Sequence, residues 1–241
     1  AQRHPDEQAS VFRFTALLND HPTCFERDCW PGHITGSAWL VDTSGTRLLL
    51  THHRKLNMWL QLGGHSDGET DTAAVAKREA LEESGLPVSL ISDEIFDIDV
   101  HEIPARKDDP AHEHFDIRYM LQAQHNDFVV SAESIDLAWV SIEQLESYTD
   151  EESILRMRRK WRQKVQLEVL LTLFRLFHRV CYYEVAEVSA PLLAMIQQLQ
   201  LFALFVACMD STQLNDLFLD HYIRHLKCML HNIQLRQLQV L

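Results

Sequence analysis

Glycine and proline are scarce in this chain of 241 residues, seven of each, and both are unevenly spread. All seven glycines fall between Gly32 and Gly85, and Pro191 is the one proline after Pro110. A collagen-like fibre or a low-complexity linker is excluded, and a turn-rich first part followed by a long helical stretch is implied. Positive charge is also short. Lys and Arg number 22 against 35 Asp and Glu, a formal net charge of -13 with the fourteen histidines neutral. Phosphate neutralisation needs a basic face, so a bare nucleic-acid binder is set aside. Five cysteines, at 24, 29, 181, 208 and 228, are odd in number and lack the paired spacing of a zinc ribbon. They read as reduced thiols of a cytoplasmic protein. No secretory signal pattern opens the sequence, although Ala at position 1 is compatible with a processed start.

What is present is the composition of an ordinary folded protein, 46% hydrophobic and 24% charged. At ~150 residues per domain, the length fits one large domain or one domain with an extension. Charge favours the second: residues 1–150 hold 11 Lys and Arg against 27 Asp and Glu, whereas residues 151–241 hold 11 against 8. Helical spacing marks residues 7–18, and strand-like runs at 33–41 and 47–51 are joined by a turn around Gly45. A short apolar run, 58–62, ends at Gly63 and Gly64, and a helix over 72–84 starts at the cap cluster 70–72 and stops at Gly85. Residues 95–103 and 115–121 alternate, with Asp97, Asp99, His101, Asp116 and Arg118 on polar faces, so both are half-buried strands. A last strand at 137–140 and a short helix at 141–147 follow, and the order implies a mixed α/β fold with antiparallel connections.

From residue 151 the pattern is helical to the end. A basic run from Arg156 to Lys164 reads as a solvated helix face, after which residues 165–183 are apolar almost all round. That break divides the chain into 1–164, an α/β domain, and 165–241, an all-α extension. The extension must bury apolar surface on the first domain or on a second copy, which makes a homo-oligomer through these helices an expectation. A membrane segment at 191–209 is the competing reading, opposed by Gln197, Gln198 and Gln200 in its middle.

Chemistry concentrates in Gly63-Gly64-His65-Ser66-Asp67-Gly68-Glu69 and in Arg78-Glu79-Ala80-Leu81-Glu82-Glu83-Ser84-Gly85-Leu86. On a helix, Glu79, Glu82 and Glu83 are related as i, i+3 and i+4, so their carboxylates share one face. Like charges so placed repel, and a hard divalent cation supplies a reason to keep them. The spacing resembles the Nudix hydrolase box: Gly64, Arg78, Glu79, Glu82, Glu83, Gly85 and Leu86 stand at its fixed positions. At ~6% chance per position, its Arg-Glu-x-x-Glu-Glu-x-Gly core arises by accident on the order of once in several thousand such chains. Two departures are Thr70 in place of the upstream Glu, with Glu69 one position early, and Ala80 in place of an aliphatic.

The resemblance covers roughly residues 1–160 and is similar to bacterial Nudix proteins of unassigned substrate. It implies the Nudix fold, a mixed sheet between helices, and hydrolysis of a diphosphate linkage in a nucleoside diphosphate joined to another group, with Mg2+ or Mn2+. By position, Glu82 and Glu83 would hold the metal, Gly63 would lend its carbonyl, Arg78 would orient the carboxylates, and Glu79 would ligate or act as base. Glu133, before the last strand, is a second base candidate. A Nudix-fold nucleotide-binding or regulatory module without turnover is the other class of reading, and the intact Glu79, Glu82 and Glu83 oppose it. Isopentenyl-diphosphate isomerases share that fold, and similarity of position to their metal ligands singles out His33, His65, His114 and Asp116 as a second metal site. A phosphate-binding cluster, or histidines on polar strand faces by accident, are the other readings. Arg106 and Lys107 are candidates to hold a substrate phosphate, or residues of a solvated loop. Trp39, Trp59 and Trp139 read as core.

Overall fold

The computed structural model describes residues 7–105, 109–132 and 134–183. Arg106, Lys107, Glu133 and the helices expected beyond residue 184, with the segment 191–209, lie outside the described residues. Among the described residues no helix is long and apolar enough to cross a membrane. Two compact units divide the chain, Ala1–Arg159 and Lys160–Leu241.

In chain order the elements are α1 (Gln8–Asp20), β1 (Gly32–Val41), β2 (Arg47–His53), β3 (Met58–Leu60), β4 (Leu62–His65), α2 (Thr72–Ser84), β5 (Val88–Leu90), β6 (Asp97–Ile103), β7 (His112–Ala123), β8 (Ser134–Ser141), a short 3-10 helix (Ile142–Ser147) and α3 (Glu152–Tyr183). β1 is central: it pairs with β7 in parallel and with β2 and β4 in antiparallel fashion. β2 also carries β3 and β8, and β7 carries β5 and β6, all antiparallel. The parallel β1–β7 pair departs from the antiparallel connections read in the sequence. Some 70 residues including α2 separate the two strands, ample for the crossover that parallel pairing needs.

Gly63 and Gly64 do not end a strand, as expected, but lie within β4. The apolar run is split at Gln61, so β3 stays on β2 while β4 crosses to β1. Gly63 permits this approach, since a Cβ there would sit 2.7 Å from the Ser37 Cα.

One face of the sheet is apolar. Phe14 and Leu17 of α1 pack with Ile34, Phe115 and the free thiols Cys24 and Cys29. Ala80 of α2 joins Ala38, Leu40, Leu49, Leu62, Leu86 and Leu121. α2 begins at Asp71, whose carboxylate accepts from the Ala73 and Ala74 amides, both at 3.1 Å. It ends at Gly85, where φ of 69° suits a residue without Cβ.

The opposite face corrects a second expectation. Its polar row is buried rather than solvated, with Asp97 at 1%, Asp116 at 2% and Arg118 at 1% exposure. Paired charges make that burial tolerable. Arg118 reaches Asp97 and Asp116 at 3.1 and 2.7 Å, and Arg156 from the start of α3 reaches Asp97 at 2.7 Å and Asp99 at 3.1 Å. Arg156, expected on a solvated basic face, is thus an internal partner of β6.

Candidate active site

α2 stands beside β4, and the two bring the box residues together. The Gly63 amide donates to Glu83 Oε1 at 2.8 Å, and Glu83 is buried. The Arg78 guanidinium donates both to the His65 carbonyl at 2.7 Å and to Glu79 Oε1 at 2.8 Å. One arginine therefore fixes a helix carboxylate against the strand backbone. Gly64 completes the contact, because a Cβ there would strike the Glu79 carboxylate. Glu82 stays exposed on the same helix. Glu69, one place early in the box, accepts the Asp71 amide at 2.8 Å and so braces the helix start. Charged oxygen donors on one helix face, with a strand bared of side chains beside them, suit a hard divalent cation such as Mg2+ or Mn2+.

Across β4 lies a different chemistry. His65 is in register with Thr35, and Gly64 with Gly36, so strand alternation sends the His65 ring to the face opposite Glu79. There His33 and His114 stand in register on β1 and β7, with ring centroids 4.8 Å apart. His65 lies 5.1 Å from His33 and 5.2 Å from His114. His112, two residues before His114 on the same face of β7, is 5.0 Å from His33 and 5.2 Å from His114. His101 flanks His114 at 5.5 Å.

Of the four residues singled out in the sequence, three converge and Asp116 does not join them. Its Oδ1 accepts the Thr35 and Ser37 hydroxyls at 2.9 and 2.7 Å, and its Oδ2 accepts Arg118 Nε at 2.7 Å. That carboxylate is committed to the buried charge row. His112 takes its place in the cluster, a residue the sequence reading passed over. The signal was available, since His112 and His114 share a strand face, but it required extending the strand to residue 112.

Burial favours the neutral form of His33, His65 and His114. Burial, reinforced by His65 and His112, lowers the His33 pKa to about 4, against a weak opposite pull from the nearby Cys29 backbone. Burial likewise takes His114 to about 2, with His33 and His65 adding to the shift, and lowers His65. Imidazoles held without their second proton keep a lone pair available as a ligand.

Of the tryptophans expected in the core, Trp39 alone is fully buried, while Trp59 and Trp139 are half-buried. Trp139 donates its indole N–H to the Asn126 carbonyl at 2.9 Å, and Trp59 stacks on His52 with centroids 5.0 Å apart.

The NUDIX domain family model matches residues 33–161. Similar solved structures include a NUDIX family hydrolase from Clostridium perfringens, 25% identical, covering 54% of this chain and 96% of that one with a TM-score of 0.43. A MutT protein from Methanosarcina mazei Go1 is 18% identical, covering 54% and 93% with a TM-score of 0.44. An Ap4A hydrolase from C. elegans is 17% identical, covering 55% and 96% with a TM-score of 0.43. No curated protein matches the sequence.

Proposed function

The chain belongs to the Nudix hydrolase family, and from that premise we propose that it cleaves the diphosphate linkage of a nucleoside diphosphate joined to another group, using Mg2+ or Mn2+. The observation that carries this reading is the joining of Glu79, Glu83 and Arg78 to the glycine strand β4. Glu79, Glu82 and Glu83 would hold the ion, with Gly63 lending a backbone oxygen beside them. When bound, such an ion polarises a phosphoryl oxygen and lowers the pKa of water.

The chain's own groups do the rest. Arg78 orients Glu79 next to the strand. Gly64 leaves the space in which that carboxylate turns toward substrate. Glu79 is the first choice to take the proton of the attacking water, and Glu133 is the second. Arg106 and Lys107 are assigned to the departing or retained phosphate, where guanidinium and ammonium groups suit its oxygens. In the family, the substrate is set by loops outside this core.

The test is hydrolysis of a panel of nucleoside-diphosphate sugars, dinucleotides, oxidised nucleotides and prenyl diphosphates with and without Mg2+ or Mn2+. Expected is product release that needs the metal and disappears in Glu82→Gln. Equal turnover by that variant would overturn the assignment.

A further inference from the structure

We propose that His33, His112 and His114 form a second metal site, for a divalent transition metal of the Zn2+ type, on the face of the sheet opposite the α2 carboxylates. Their donor nitrogens lie within 4.8 Å of one another, and among the described residues no other trio of His, Cys, Asp or Glu does so. His65 stands next to them as a fourth imidazole.

His33 is 1% exposed, and neither of its ring nitrogens makes a well-formed hydrogen bond, although the Cys29 backbone lies close enough to interact with the ring. The His114 Nε2 is buried and equally without a partner. Buried polar atoms in a folded protein are normally satisfied, so each such atom asks for a ligand. His112 is already set up for one. Its Nδ1 lies 2.8 Å from the Pro110 carbonyl, which only accepts, so Nδ1 is the donor, and in the neutral ring Nε2 presents a lone pair. A backbone carbonyl that fixes the tautomer in this way is the usual companion of a metal-bound histidine.

Donor chemistry then selects the ion. Nitrogen ligands suit Zn2+ and its first-row neighbours, whereas Mg2+ and Ca2+ take oxygen. Three histidines leave one position of a tetrahedral Zn2+ for His65 or for water. Zn–N bonds of about 2.0 to 2.1 Å put tetrahedral donors roughly 3.4 Å apart, so small ring rotations close the site. The arrangement is built by register: His33 and His114 are paired across β1 and β7, and His112 follows from the period of two. Nothing in it depends on the carboxylate site, from which β4 separates it.

The test uses the whole chain, stripped with a chelator and titrated with Co2+ as a visible probe for a Zn2+ site. Expected is one tight equivalent with the absorption of nitrogen-ligated tetrahedral Co2+, displaced by Zn2+. Binding should persist in Glu82→Gln and weaken by about 100-fold or more in His112→Ala and His114→Ala. Unchanged Co2+ affinity in both histidine variants would overturn the proposal, as would its loss in Glu82→Gln alone. Should a histidine variant misfold, X-ray absorption of the Co2+-loaded parent decides: imidazole scattering from three or more rings supports the site, and a spectrum of oxygen ligands alone refutes it.

Discussion

Glu83 accepts the Gly63 amide through an oxygen, and glutamine can keep that bond while removing the charge. Glu83→Gln should therefore retain the parent melting temperature within a few degrees while kcat falls on the order of a thousandfold, several kcal/mol of lost transition-state stabilisation. Steady-state rates at saturating Mg2+ beside a thermal melt check both halves. Gly64→Ala separates position from charge. Its new methyl group would push the Glu79 carboxylate aside, so kcat should drop by roughly 100-fold with all three acids intact, the scale of an ångström's misplacement at a reacting centre. A rate equal to the parent's would show that Glu79 has room to spare. At this scale the carboxylate cluster was legible, because i, i+3 and i+4 spacing is a local property of one helix. The place of His112 was legible only in part: the period of two sets it beside His114, but the β1–β7 register is needed to bring His33, far away in sequence, up to them.

Between elements, a group of ion pairs ties the start of α3 to β6. Arg156 donates to both oxygens of Asp97, to Asp99 and to the Ile98 carbonyl. Met in its place would remove one cation from two acids that Arg118 also reaches, and Arg156→Met should cost about 2 to 3 kcal/mol, somewhat under the figure for a fully buried pair because this side chain is 21% exposed. Acid should shrink that difference. Burial raises the Asp99 pKa, but His101, Arg118 and Arg156 outweigh it and hold the carboxyl below its ordinary 3.8. A depressed carboxyl contributes stability that is whole above its unfolded pKa and is lost as pH falls toward the folded one. Urea unfolding at pH 7 and pH 3 should show a smaller gap between parent and variant at the lower pH, and a constant gap would mean that Asp99 is not the linked group. Strand alternation displayed the two faces of β6 correctly. It was silent on which face is covered, since an acidic row looks solvent-facing until arginines from residues 118 and 156 are known to reach it.

For the whole molecule, the question is what residues 165–241 add. The NUDIX match ends at residue 161, and the side chains that secure the start of α3, Ile154, Arg156 and Met157, all precede that point. Composition had placed the break after residue 164, where the basic run gives way to apolar sequence, and the compact units part at Arg159 and Lys160. α3 itself continues without interruption to Tyr183. Along it, Val165, Leu167, Val169 and Leu171 are 38 to 43% exposed, and at 100° per residue they do not share one face. Apolar side chains spread around a helix ask to be covered, and a second copy of the chain offers an identical surface. A chain truncated after Lys164 should thus unfold cooperatively, remain monomeric and hydrolyse substrate at the parent rate, while the full chain sediments above its monomer mass of 28.0 kDa. Monomeric sedimentation of both would remove self-association as the role of the extension. Insolubility of the truncated chain would show that residues 165–241 complete the hydrolase core itself.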